Sequence, residues 1–125
     1  MYAFKLVSKE EGKYFSSCSP PQVRVKYRLG ERIVPEVGRL FVFKDLEMAN
    51  IFKDNLHLST GRNIRVFYGK AEKARPRKTI IAFLADMTPL KVRKFWKRRK
   101  ISCELACPPK GTYTCSAFTP LGEII

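Results

Sequence analysis

Between Lys70 and Lys100, 31 residues carry 12 of the chain's 25 lysines and arginines against two acids, Glu72 and Asp86. Twelve cations less two acids leave +10 of the formal +14 in that one quarter of the chain. Burying an unpaired charge costs several kcal/mol, so any fold must keep most of this stretch at its surface. The same stretch nevertheless holds the apolar run Ile80-Ile81-Ala82-Phe83-Leu84-Ala85 and the only tryptophan, Trp96. The charge therefore belongs to packed structure and not to a loose tail.

The remaining sequence has the material for one core. A chain of 125 residues, 45% apolar with nine Phe and five Tyr, suits a single compact domain over 1–125 that needs no metal or disulfide staple. A net +14 is self-repelling, and a chain that keeps it is expected to meet an anionic partner, nucleic acid being the commonest and an anionic membrane the next; three helical turns with one Trp and one Phe leave little apolar area for a membrane, so the partners expected are nucleic acid or an acidic protein. Lys5 interrupts the N-terminal apolar residues and no small-residue cleavage site follows, so the expected location is cytoplasmic. The run from Ile80 to Ala85 is far too short to cross a bilayer.

Period-2 patterning dominates the N-terminal half. Tyr2, Phe4 and Leu6 alternate with Ala3, Lys5 and Val7, which predicts a first strand, and Lys13 to Cys18 suits a short partner before Pro20-Pro21. Val23, Val25 and Tyr27 alternate with polar and cationic neighbours, while Arg39 to Phe43 is apolar on both faces and reads as a central strand. Over 45–56 the spacing changes: Leu46, Ala49, Phe52 and Leu56 form a helical stripe, with Asp45 placed to cap it and a loop expected from His57 to Gly61. Asn63 to Tyr68 returns as a strand, with Ile64, Val66 and Tyr68 on one face and Arg65 and Phe67 on the other.

Beyond Tyr68, the residues from Gly69 to Lys78 read as a basic loop or strand end, and Thr79 to Asp86 as a second central strand. Thr88-Pro89 is a helix start, and the periodicity predicts a helix over 89–99 with Val92, Phe95 and Trp96 inward and cations outward. Strand signals follow at Ile101 to Cys107 and Thr112 to Phe118. The predicted class is α+β: a twisted, mostly antiparallel sheet of about five to seven strands with two helices, over 45–56 and 89–99.

Candidate nucleic-acid contacts are Lys70, Lys73, Arg75, Arg77 and Lys78 in the basic segment, with Lys91, Arg93, Lys94, Lys97, Arg98 and Lys100 on the second helix. Phosphate contacts from lysine and arginine give affinity without reading sequence, so the pattern signals affinity and carries no sequence specificity. A solvated cationic face is the bland alternative. Aromatic side chains on an exposed sheet face could stack bases, with Arg65 and Phe67 the candidates, although core burial is the commoner fate of such rings.

Other constellations point less far. Cys103 and Cys107 have a zinc-like spacing and Cys115 lies beyond a turn, but no second close pair exists, and buried thiols are the favoured reading; no cofactor is expected. His57 is placed to interact with a helix C-terminus and lies in no triad spacing. Ser59-Thr60-Gly61 lacks the glycines and the lysine of a phosphate loop, and the 11 acids are scattered with no magnesium-like cluster.

Tyr2 to Val7, Tyr27-Arg-Leu-Gly-Glu31, Pro35, Gly38-Arg-Leu-Phe-Val-Phe43, and Asp45-Leu-Glu-Met-Ala49 with Phe52 together resemble small uncharacterised domains of phage and bacterial origin. The resemblance covers about the first 55 residues and implies a compact α+β domain without an established activity. The leading expectation is a basic, non-enzymatic nucleic-acid-binding accessory protein, with a phage origin as the resemblance implies. The alternative is an interaction module docking on an acidic host protein, and the third option an enzyme on a nucleotide or phosphorylated substrate.

Overall fold

The computed structural model describes residues 1–16, 25–36, 38–76, 80–81, 105–106 and 111–125, with backbone only for 80–81 and 105–106. The strands are β1 (Tyr2–Glu10), β2 (Lys13–Ser16), β3 (Lys26–Tyr27), β4 (Leu40–Phe43), β5 (Ile64–Glu72), β6 (Arg75–Pro76), β7 (Ile80–Ile81), β8 (Leu105–Ala106), β9 (Thr112–Cys115) and β10 (Ala117–Ile124). One helix, α1 (Leu46–Thr60), stands among the described residues. All the described strand pairings are antiparallel, so the α+β expectation holds as a mostly antiparallel sheet with a helix on it.

Eight strands form the main sheet, in the path β10-β5-β1-β4-β9-β6, with β2 also beside β1 and β3 beside β2. Only Ser116 separates β9 from β10, yet β10 pairs with β5 and β9 with β4. One nearly continuous strand thus lies at one edge of the path as β10 and next to its other edge strand, β6, as β9, so the sheet must curl back on itself. The curl buries the inner face as well: Ala3, Val7, Tyr27, Leu40, Val42, Phe67, Ala71, Cys115 and Phe118 pack in one cluster. Full burial of a ring such as Phe67 contributes about 1.5–3 kcal/mol relative to exposure.

Lys5 alternates with Tyr2-side residues and shares the face of Ala3 and Val7, so it points into this core. There its Nζ donates to the Phe41 carbonyl at 2.7 Å and lies 5.7 Å from the Tyr27 ring centroid. The hairpin from β1 to β2 turns on Glu11 and Gly12, both at positive φ (51° and 77°), the backbone of a two-residue primed turn. Gly69, on β5, allows the close crossing of β10: a Cβ there would collide with the Thr119 carbonyl oxygen and lie 2.7 Å from Phe118 Cζ.

The outer face carries α1. Ala49 and Leu56, with Leu46 and Phe52 half-buried beside them, pack on Leu6, Phe43, Ile64 and Val66, as the stripe predicts. The helix runs through Thr60, where a loop is expected from His57; it ends at Gly61, whose φ of 69° lets its N–H reach the His57 carbonyl at 2.9 Å. Tertiary packing of Leu56 and a Thr60 Oγ1 donation to the Leu56 carbonyl at 2.6 Å carry the extra turn. Asp45 holds the N-cap position without a capping side-chain hydrogen bond.

Two further expectations are sharpened or corrected. Of the two readings of the segment after Tyr68, the strand end holds as far as Glu72, because β10 continues beside Lys70 to Glu72 through Ala117. Ile80 and Ile81 pair with Leu105 and Ala106 in a separate two-stranded sheet, so for these two residues the central strand of the main sheet is not formed. The helix expected over 89–99 lies outside the described residues.

Candidate nucleic-acid interface

The sequence's cationic segment begins on the outer face of β5. Lys70 stands directly opposite Tyr2 on β1 and Thr119 on β10, and Glu72, two residues on, shares its face. Lys73 then takes a left-handed backbone, φ 50°, that bends the chain from β5 into β6, and Arg75 pairs with Thr114 of β9. Lys70, Lys73 and Arg75 are all exposed.

Around this bend the tertiary structure gathers two arginines from far along the chain. Arg32 grips Glu72 with two bonds, Nε to Oε2 at 2.7 Å and Nη2 to Oε1 at 3.1 Å. That hydrogen-bonded pair holds the Glu72 carboxyl below its ordinary range, with Lys70 and Lys73 adding to the effect. One acid is therefore surrounded by three cations. Arg39 donates from Nε to Thr114 Oγ1 at 3.0 Å and from Nη2 to the Thr114 carbonyl at 3.1 Å, and also binds the Lys73 carbonyl. Partial burial, then the neighbouring Arg75, holds its guanidinium below the ordinary value.

A second cationic group lies on the β2–β3 hairpin. Phe15 pairs with Lys26 and Tyr14 with Tyr27, so the next step of the ladder puts Lys13 opposite Arg28. Arg28 is the main influence that lowers the Lys26 pKa, followed by slight desolvation and Lys13. The structure thus shows two cationic groups, Lys13, Lys26 and Arg28 beside the β2–β3 ladder and Arg32, Lys70, Lys73, Arg39 and Arg75 at the β5–β6 bend.

Of the contacts expected from sequence, Lys70, Lys73 and Arg75 are thus brought together. Arg77, Lys78, Lys91, Arg93, Lys94, Lys97, Arg98 and Lys100 lie outside the described residues, as do Cys103 and Cys107. Arg32 and Arg39 escape a sequence reading because nothing local to them signals a carboxylate or a carbonyl tens of residues away. The hairpin cations carry a weak signal: they occupy the polar positions of two alternating segments.

Of the two stacking candidates, the Phe67 ring does not stand. Phe67 is fully buried and packs against Tyr14 with centroids 4.7 Å apart. Arg65 is engaged by Asn63 Oδ1 at 3.1 Å and by Glu123 at 3.7 Å. The exposed rings are on the opposite face. Tyr2, 61% exposed, lies on Tyr68 with centroids 5.6 Å apart and planes 16° from parallel, and Phe4 is tilted against Tyr68 at 6.1 Å.

Cys115 is buried in the inner core, and desolvation raises its thiol pKa even with Lys5 and Arg39 nearby. Among the described residues, no three His, Cys, Asp or Glu side chains are placed to hold a metal ion. His57 sits in the last turn of α1 with Nδ1 2.9 Å from the Arg62 carbonyl oxygen, a structural position. No described helix is long and apolar enough to cross a membrane. No protein-family model, curated protein or solved structure matches this chain.

Proposed function

We propose that this protein is a non-enzymatic nucleic-acid-binding protein that holds the phosphate backbone with the cations gathered at the β5–β6 bend. The observation that carries the reading is the bend between β5 and β6, where Arg32, Lys70 and Lys73 surround the carboxylate of Glu72 while Arg39, beside Arg75, holds the Lys73 carbonyl. Repulsion among these groups is maintained by the fold and relieved when phosphates replace water and counterions. The cations of the segment 77–100 extend the same chemistry, and location in the cytoplasm and a phage origin belong to this proposal.

The test is binding to a fluorescent oligonucleotide across a salt series. Five neutralised phosphates predict a log–log slope of roughly −4 to −5 on duplex DNA. Reversing Lys70, Lys73 and Arg75 to Glu should weaken binding on every sequence and flatten the slope. Absence of binding at low salt, or a slope near zero, would overturn the proposal.

One observation favours the second reading, a module that docks on an acidic protein. Ile51 and Leu58, seven residues apart on the outward side of α1, are 49% and 82% exposed. A nuclease-resistant protein partner lost on Leu58→Glu, with no oligonucleotide binding, is the outcome that would select it.

A further inference from the structure

We infer that the Tyr2–Tyr68 stack is a base-stacking platform, which makes the nucleic acid recognised a single strand with unpaired bases. The inference rests on the nucleic-acid reading above and names its substrate class.

The geometry follows from register. Tyr2 faces Lys70 and Phe4 faces Tyr68 across β1 and β5, so all four side chains share the outer face of the sheet. The helix occupies the neighbouring part of that face, over Leu6, Val66 and Ile64. Past it, Tyr68 is half-buried between Phe4 and Tyr2, whereas Tyr2 lies flat on Tyr68 and keeps most of its surface in water. On the other flank, β10 presents Gly122 opposite Tyr68, and a Cβ there would meet no atom within 4 Å. The rings are thus backed on one side and open on the other.

Held rings suit this role better than free ones. The Ala71 N–H donates to the Met1 carbonyl at 2.8 Å, which continues the pairing beyond Tyr2 and Lys70 and holds the backbone that carries the Tyr2 ring. A base on the outer face of Tyr2 would place its phosphate near Lys70, and the next cations, Lys73 and Arg32, gather around Glu72, two residues on from Lys70 along β5. Rings beside a line of cations suit a single strand, because each base has a π face and each linkage a charge. A duplex offers phosphates alone, its bases being stacked on one another. An acidic protein would satisfy the cations but leave the rings without a flat partner.

The experiment uses deoxy- and ribo-oligonucleotides of about 12 nucleotides, a length within the usual site size for such surfaces, each with one 2-aminopurine, and a duplex of the same sequence. The full chain should bind the single strands more tightly than the duplex and quench the 2-aminopurine. Tyr2→Ala, at an exposed position that leaves the core intact, should lose about tenfold in single-strand affinity, leave duplex binding and the salt slope unchanged, and abolish the quench; Tyr2→Trp should retain binding. If Tyr2→Ala and Tyr68→Leu both bind single strands as the parent does, or lose single strand and duplex equally, the platform is refuted while the phosphate reading stands. If neither form of nucleic acid binds at low salt, or only polyglutamate does, both readings fall.

Discussion

The guanidinium of Arg39 donates to both Thr114 Oγ1 and the Thr114 carbonyl, at 3.0 and 3.1 Å, while also holding the Lys73 carbonyl. One side chain thus ties the approach to β4, the start of the β9–β10 strand and the left-handed residue of the β5–β6 bend. Hydrogen bonds from a charged donor contribute about 1.5–3 kcal/mol each before their mutual dependence is counted. Arg39→Met, which keeps the aliphatic stem, should therefore lower stability by about 2–3 kcal/mol, read as the urea midpoint, and should weaken oligonucleotide binding by loosening Lys73 and Arg75. A variant with the parent's midpoint would show that the bend is held elsewhere.

Gly69 is required by the crossing of β5 and β10. Gly69→Ala drives a Cβ into the Thr119 carbonyl oxygen, a backbone atom that cannot swing aside. Overpacking of this kind costs about 1–3 kcal/mol or more, so thermal unfolding should move down by several degrees. Gly122→Ala, in open space on the same strand pair, is the control and should lose much less. Equal effects at the two sites would contradict the close approach.

Glu72 is the one acid inside the cationic bend, and its Arg32 hydrogen bond depresses its pKa. A carboxyl with a depressed folded pKa stabilises the fold above its unfolded value, about 4.3, and that contribution disappears as pH falls through the lower folded value. Glu72→Gln should remove this part of the acid limb. It should also tighten nucleic-acid binding, with a salt slope steeper by up to about 0.7 on a single strand, since Arg32 is released to face phosphate. Weaker binding would mean that Arg32 works only when Glu72 positions it.

At the alkaline end the inner core decides. Burial raises the pKa of the Tyr27 hydroxyl, with Ser16 opposing and Cys115 adding to the rise, and burial likewise raises the Cys115 thiol. The unfolded chain then releases these protons first, at about 8.5 for the thiol and about 10 for the phenol, so stability falls as pH rises through those unfolded values. Tyr27→Phe should flatten the fall above about pH 10 in urea titrations; a curve parallel to the parent's would place the alkaline sensitivity elsewhere.

Local patterning is a sound guide where one face decides the matter. The alternation of Tyr2, Phe4 and Leu6 marks a strand, and Leu46, Ala49, Phe52 and Leu56 mark the helix and its buried side. Element ends are less legible. The extra helical turn after Leu56 and the extension of β5 through Glu72 depend on partners, Leu56 packing in one case and β10 in the other. The strand from Thr119 to Ile124 has Pro120 and Gly122 within it, which hides it from any propensity argument.

Composition and local pattern are enough to establish that the chain is basic, that its lysines and arginines concentrate from Lys70 onward, and that strands outnumber helices. Which sheet face stays open is settled by the closed sheet alone. Alternation assigns residues to two faces but cannot say that both are covered, and here the curl puts Lys5 and Phe67 inside while leaving Tyr2 and Tyr68 at the surface. The same closure brings Arg32 to Glu72 across 40 residues and Arg39 to Thr114 across 75. Such contacts are fixed by strand register and sheet closure, which are collective properties of the chain and leave no mark on any single segment.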